Sequence, residues 1–168
     1  MRVRRASGAD IPAMFDLGRQ SPAAADWSPQ QYESLFASSG QRLPEHLALV
    51  AENEIVEDES GLPSEGLVRA TPLILGFLVA RRVDSEWELE NIVVAESDRR
   101  RGVGRFLLTQ LAAHAQAAGG SAMFLEVRES NGSARALYRK MGFEETGLRK
   151  NYYAGPAESA VLYRLRLS

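Results

Sequence analysis

Arg99-Arg100-Arg101-Gly102-Val103-Gly104 stands between an apolar run, Ile92-Val93-Val94, and an Ala- and Leu-rich stretch, Val103 to Ala118. This order predicts a strand, a Gly-rich turn and the start of a helix. Two glycines remove side chains where a ligand has to approach the backbone. The first amides of a helix have no intrahelical acceptor, and the helix dipole adds partial positive charge there. Arg100, Arg101 and Arg105 add formal charge beside them. The segment implies a di- or polyphosphate ligand; taken alone, it also fits an ordinary helix entry with solvated arginines. The Gly-Lys-Ser/Thr of a Walker loop is absent, and the spacing is not that of a dinucleotide-binding fold.

Outward from this segment, strands and helices are mixed. Val3–Ala6 predicts a short first strand. Asp10 and Pro12 mark a helix start, with Asp10 as cap and Ile11, Met14 and Phe15 on one face. Ser28 and Pro29 open a second helix, with Tyr32, Leu35 and Phe36 at helical spacing. Strands are expected over His46–Ala51, Leu73–Val83, Glu86–Val94, Ala122–Val127, Phe143–Leu148 and Ser159–Leu167. Helices are expected over Val103–Ala118, ended by Gly119-Gly120, and over Ser133–Met141, ended by Gly142. Between Glu52 and Pro72 lie Gly61, Pro63 and Gly66 among acids, which predicts a long, mobile hairpin connection inside one domain spanning residues 1–168. The class is α/β or α+β with a mostly antiparallel sheet.

The chain has 168 residues, 45% hydrophobic and 25% charged, which fits one globular domain with a sizeable core. A net charge of −2 gives no global basic field for nucleic acid or an anionic membrane. Charge is nevertheless uneven: six acids and no Lys or Arg from Glu52 to Glu65, four Arg from Arg99 to Arg105. The absence of cysteine excludes disulfides, Cys metal sites and a covalent Cys intermediate. No His/Asp/Glu cluster has metal-ligand spacing, so no metal is expected. The N-terminus lacks the apolar stretch of a secretory signal, and Leu73 to Ala80 is too short to span a bilayer. A cytoplasmic location is the default expectation.

Three further positions carry chemistry. In Met123-Phe124-Leu125-Glu126-Val127-Arg128 both strand faces are largely apolar, as in an interior strand. Glu126 reads either as a base in a cleft, its pKa raised by partial burial, or as a strand-end partner of Arg128 or another Arg. Ala134, Leu137, Tyr138 and Met141 form one stripe, so Tyr138 points inward with a hydroxyl that needs a partner, as a core aromatic or a proton donor. Glu88 and Glu90 read as a polar strand face, a second base, or a site for a cationic substrate. His114 reads as a face-edge histidine, His46 as surface, and Tyr152 and Tyr153 as packing residues or the lining of a substrate groove.

Ile92-Val93-Val94 followed by Arg99-x-x-Gly102-x-Gly104 resembles the acetyl-CoA motif of the GNAT superfamily. Leu125-Glu126-Val127-Arg128-x-Ser130-Asn131, Ala136-Leu137-Tyr138, Gly142-Phe143 and Arg149-x-Asn151-Tyr152-Tyr153 resemble, more narrowly, the bacterial ribosomal-protein-alanine N-acetyltransferases. The resemblance is dense from Asn91 to Tyr153. It implies a mixed sheet of six to seven strands, helices on both faces, and a cleft where the fourth and fifth strands splay. It places the cofactor acetyl-CoA there, held by Ile92, Val93 and Val94, by Arg99 through Arg105, and by Asn131. It implies Glu126 as general base and Tyr138 as general acid, the latter with an ordinary pKa of about 10, matched to a departing thiolate. Glu90, Tyr152 and Tyr153 are expected to touch the acceptor.

The implied reaction is direct transfer of acetyl to a primary amine in a ternary complex, with a protein N-terminus as acceptor. An α-amine, with a pKa of about 7.7–8.0, is easier to deprotonate than a lysine at about 10.4. A GNAT enzyme for a small amine such as a polyamine, amino acid or drug is the alternative, and a non-catalytic acyl-CoA sensor a third. The state is monomer or homodimer. This chain departs from the narrower pattern in its acidic insertion and in Ala154-Gly155-Pro156 after the two tyrosines, both expected to border the acceptor groove.

Overall fold

Ile74-Leu75-Gly76-Phe77-Leu78-Val79-Ala80 offers no polar face, so the strand it forms has to be covered on both sides. The computed structural model, which describes residues 1–37, 46–53 and 73–168, covers it with helices on each face of a seven-stranded sheet. In chain order the elements are β1 (Arg2–Arg5), α1 (Ile11–Arg19), α2 (Pro29–Ser34), β2 (His46–Glu52), β3 (Ile74–Val83), β4 (Glu86–Val94), α3 (Val103–Ala117), β5 (Ala122–Arg128), α4 (Gly132–Lys140), β6 (Glu144–Ala154) and β7 (Ala157–Arg166). The strands are arranged β1-β2-β3-β4-β5-β7-β6. Only β4 and β5 run parallel; the other neighbours are antiparallel.

Each sheet face has its own core. On one, Leu47, Leu49, Leu78, Trp87 and Leu89 pack under Leu107, Leu108 and Leu111 of α3 and Tyr138 of α4. On the other, Val50, Phe77, Val79 and Val93 pack under Met14 of α1 and Tyr32 of α2. The expected start of α2 is present as a reciprocal cap: Gln31 N–H donates to Ser28 Oγ (3.3 Å) and Ser28 N–H to Gln31 Oε1 (2.8 Å). The expected cap at Asp10 is not. Its carboxylate accepts from the Ser7 amide (2.8 Å) and from Arg4 (2.8 and 2.9 Å), so it turns back onto β1 instead of forward onto α1.

The acidic insertion also begins later than expected. Glu52 is the last residue of β2, buried to 1%, and accepts from Arg2 Nε (3.0 Å) and Arg4 Nε (2.9 Å). The hairpin closes at the next position, where Asn53 N–H donates to Leu73 O (3.2 Å) and Leu73 N–H to Asn53 Oδ1 (2.7 Å). The rest of the insertion, 54–72, lies outside the described residues. β6 runs to Ala154, well past the expected Leu148. It is an edge strand, and its exposed, charged residues carry little apolar periodicity.

Arg4 bridges two carboxylates, Asp10 and Glu52. The Arg4 guanidinium holds Asp10 below the usual carboxylate range. Burial pushes Glu52 up, but Arg2 and Arg4 outweigh it and leave it below its ordinary value. Carboxylates with depressed native pKa values stabilise the fold above their unfolded pKa of about 4. That contribution is lost as pH falls through the native values. Arg4→Met is therefore expected to cost about 2 kcal/mol at pH 7, less than a fully buried pair because Arg4 is partly exposed. It should also flatten the loss of stability below pH 4, as read by urea unfolding across pH.

Candidate active site

β4 and β5 pair only over Glu86↔Ala122, Trp87↔Met123, Glu88↔Phe124 and Leu89↔Leu125. Past that point they part. β5 stays with β7 through Arg128, while β4 stays with β3 through Val94. Glu90 sits at the parting as a β-bulge: Ala80 faces Leu89 and Val79 faces Asn91, leaving Glu90 without a partner on β3. The bulge shifts the strand's phase, so Trp87, Leu89, Ile92 and Val94 all reach the α3 side while Val93 reaches the other. Ala95 N–H donates to Leu75 O (2.8 Å). By strand alternation the amides of Val94 and Ile92 then point away from β3, into the gap.

The Gly-rich turn closes one end of the gap. Gly102 has φ +87°, which its neighbours' side chains would resist, and Arg100 also lies in the left-handed region at φ +65°. A Cβ at Gly102 would meet nothing within 4 Å, so this position is open to a ligand. Gly104 is more crowded: a Cβ there would come within 3.2 Å of Leu137 Cδ2 and 3.7 Å of Val94 Cγ2. It serves the close approach of α3 to α4 and β4. Phe106 is the first helix residue whose amide bonds back, to Gly102 O (2.9 Å), leaving the Val103, Gly104 and Arg105 amides facing outward.

The arginines of the turn divide. Arg101 donates to Asp98 (2.6 Å), a buried acid that also accepts from Ser97 Oγ (2.7 Å) and that sequence reasoning passed over. Arg99 Nε reaches the Val94 carbonyl (3.4 Å). Arg100 and Arg105 have no acidic partner among the described residues. Asn131 caps α4, its Oδ1 accepting from the Ala134 amide (3.2 Å).

Glu126 lies one residue past the last β4–β5 pair, its side chain 24% exposed. Of the two readings open to it, the ion pair is present, and the partner is Arg149 (2.5 Å), not Arg128. Glu126 also raises the Tyr152 phenol above its ordinary pKa, chiefly through its charge. Arg128 is drawn off to Glu158 (3.3 Å) and stacks on Tyr153, 4.1 Å from the ring centre. Tyr153 is raised above its ordinary pKa by burial and by Glu126. Tyr138 is buried against Phe143 and Tyr163, and its pKa is raised first by burial and then by the nearby Tyr153. Its phenol therefore stays protonated throughout the physiological range. The expected ordinary value near 10 does not hold, because the ring is inside the core rather than at its edge.

On β4, Glu88 pairs with Arg81 (2.5 Å). Glu90 is pushed up by burial, with Glu88 adding to the rise and His46 and Arg81 opposing it. His46 is thus not a surface residue: it is half-buried, its Nε2 3.4 Å from Glu90. His114 packs edge-on to Trp87, a structural position.

The Acetyltransferase (GNAT) family model matches residues 18–143. The chain is 32% identical over 164 residues to the ribosomal protein bS18-alanine N-acetyltransferase of Salmonella typhimurium, covering 96% of this chain and 95% of the relative. The Haemophilus influenzae enzyme of the same name is 42% identical over 92 residues, covering 53% of this chain and 62% of the relative. The crystal structure of the Escherichia coli ribosomal-protein-S18-alanine N-acetyltransferase superposes with a TM-score of 0.73 at 28% identity, covering 99% of this chain and 94% of that one. Arabidopsis thaliana NAA60 in complex with a bisubstrate analogue shares the fold, with a TM-score of 0.78 at 13% identity over 99% of both chains. The chain belongs to the GNAT acetyltransferase family. It is an acetyl-CoA-dependent N-acetyltransferase, and the fold and the sheet expected from the sequence are those observed.

The open β4 edge and the free amides beside Gly102 fit such a cofactor. Arg100→Ala with Arg105→Ala should weaken CoA binding about tenfold, more at low salt than at high, by calorimetry. Arg101→Ala should instead lower the melting temperature, because it strands buried Asp98.

Proposed function

We propose that the chain acetylates the N-terminal α-amine of a protein, with a ribosomal protein beginning in alanine as the first substrate to test. The observation that carries this reading is the meeting of Glu126, Tyr152 and Tyr153 at the open edge of the gap. It is joined by the chain's likeness, over nearly its whole length, to an enzyme named for that acceptor.

In this reading Ile92 and Val94 pair with the pantetheine arm through the amides that β5 leaves unpaired, Val93 packing beneath. The α3 amides, with Arg99 through Arg105, hold the pyrophosphate, and Asn131 touches the cofactor at the start of α4. Bound acetyl-CoA supplies the activated acyl group. A neutral acceptor amine attacks it. A backbone N–H near Val94 donates to the carbonyl oxygen as charge develops there. Glu126 takes the proton that the acceptor nitrogen sheds, and Tyr138 gives its proton to the leaving sulfur. Glu90, Tyr152 and Tyr153 line the acceptor side. The insertion leaves the sheet between Asn53 and Leu73, at the end where Gly76 faces Val94 and the gap opens. We assign it to the same single domain; its residues 54–72 lie outside the described residues.

Thiol release from acetyl-CoA, measured with N-terminal peptides and small amines, tests the acceptor. Turnover is expected on a peptide beginning with alanine; turnover confined to a polyamine would overturn the reading. Glu126→Gln and Tyr138→Phe should each lower kcat by roughly 10²–10⁴-fold while CoA affinity is kept. An unchanged rate in either variant removes that residue from its role.

A further inference from the structure

Glu126 is held by an arginine from one short segment of β6. Arg149 Nη1 donates to Glu126 Oε1 (2.5 Å), and the Arg149 guanidinium lies 4.2 Å from the Tyr152 ring centre. Tyr152 lies close enough to Glu126 for the carboxylate to raise the pKa of its phenol. The segment reaches inward because β6 bulges there. Arg149 faces Ala160 and Tyr153 faces Glu158, so three residues of β6 stand against one of β7, with Asn151 at φ +52°. On the other side of Glu126, Arg128 is occupied by Glu158, the Gly155 and Pro156 carbonyls, and the Tyr153 ring. Arg149 is therefore the one guanidinium hydrogen-bonded to Glu126 among the described residues.

We propose that Arg149 is a specificity-determining positioning residue, a charge filter that makes the enzyme accept amines in their neutral form and reject the ammonium of a lysine side chain. The inference rests on Glu126 as the proton acceptor. A bare carboxylate in a cleft attracts any ammonium. A carboxylate already holding a guanidinium offers an arriving cation both an attraction and a like-charge repulsion at the same few ångströms. A neutral amine meets no such repulsion. At neutral pH an α-amine, with a pKa of about 7.7–8.0, is neutral several hundred times as often as a lysine at about 10.4. The filter converts that difference into selection. The Tyr152 ring beneath the guanidinium holds it flat in place, and a planar cation is easier to fix this way than a flexible ammonium.

The test compares kcat/KM on a peptide with a free α-amine and no lysine against an Nα-acetylated peptide carrying one lysine. Wild type, Arg149→Gln, Arg149→Lys and Glu126→Gln are measured, each with its CoA affinity and melting temperature. Arg149→Gln is expected to raise the lysine-to-α-amine ratio about tenfold or more. Arg149→Lys, which keeps the charge, is expected to hold the ratio near that of wild type. An unchanged ratio in Arg149→Gln, with CoA affinity retained, overturns the filter. Equal behaviour of Gln and Lys at this position overturns it too, since shape and not charge would then be responsible. Full activity of Glu126→Gln overturns the underlying base assignment as well; slow turnover there with an unchanged Arg149→Gln ratio sinks the filter alone.

Discussion

A strand in the middle of a sheet ordinarily spends its amides and carbonyls on two neighbours. β4 does so only as far as Leu89. From Glu90 to Val94 one of its edges faces no strand, and each unmet polar group withdrawn from water would cost about 1–3 kcal/mol. The fold tolerates this edge because a ligand backbone or water can meet it. Everything else at the site follows from that edge. The bulge at Glu90 sets the phase that puts Ile92 and Val94 on the α3 side, and β5 is kept from re-pairing by its full-length ladder with β7. The turn at Gly102 brings the α3 amides to the edge's end.

The gap is held open by the far half of the sheet as much as by β4. β5, β7 and β6 form an antiparallel unit tied across its top by two stacks of opposite sense: Arg128 of β5 on Tyr153 of β6, and Arg149 on Tyr152 within β6. Both arginines end on carboxylates, Glu158 and Glu126. Tyr138 and Tyr163 fill the space behind, between α4 and the sheet. The two tyrosines expected to pack or to line a groove carry guanidinium groups on their rings, and Glu126 raises the pKa of both phenols.

The strand–turn–helix order around Gly102 was legible because its signals are local: an apolar run, two glycines and an apolar helix. The interior strands and the Ser28 cap were legible for the same reason. The bulge left a fainter trace. Apolar residues at 87 and 89 are followed by 92 and 94, a slip of one in the alternation, but Val93 fills both phases and hides it. Glu52 was misjudged because its partner, Arg4, lies across a strand pair that sequence spacing does not reveal, and Asp10 because its carboxylate turns back to that same Arg4, six residues earlier. A glycine pattern does not say which protein neighbour needs the space; at Gly104 Leu137, thirty-three positions on, approaches the backbone. Arg149 was visible only as a letter in a motif, since an exposed edge strand gives no periodicity from which to infer what its arginine touches.

Charge bears on the acceptor more than shape does. Glu88, Glu90 and Glu126 line one face of the opening, and as a bare sequence they suggest a trap for a polycation. In the folded chain each already has a cationic neighbour: Arg81 beside Glu88 and Glu90, Arg149 beside Glu126. Glu90 is moreover pushed toward its neutral form by burial. A polyamine has to displace those partners to gain its ion pairs, and it recovers little by doing so, because the guanidinium groups it frees lose their own bonds. A single α-amine on a peptide needs one carboxylate and a place to be neutral, which under the proposed role of Glu126 the arrangement around it would supply. The balance of internal charges therefore favours a peptide N-terminus over a polycationic small molecule.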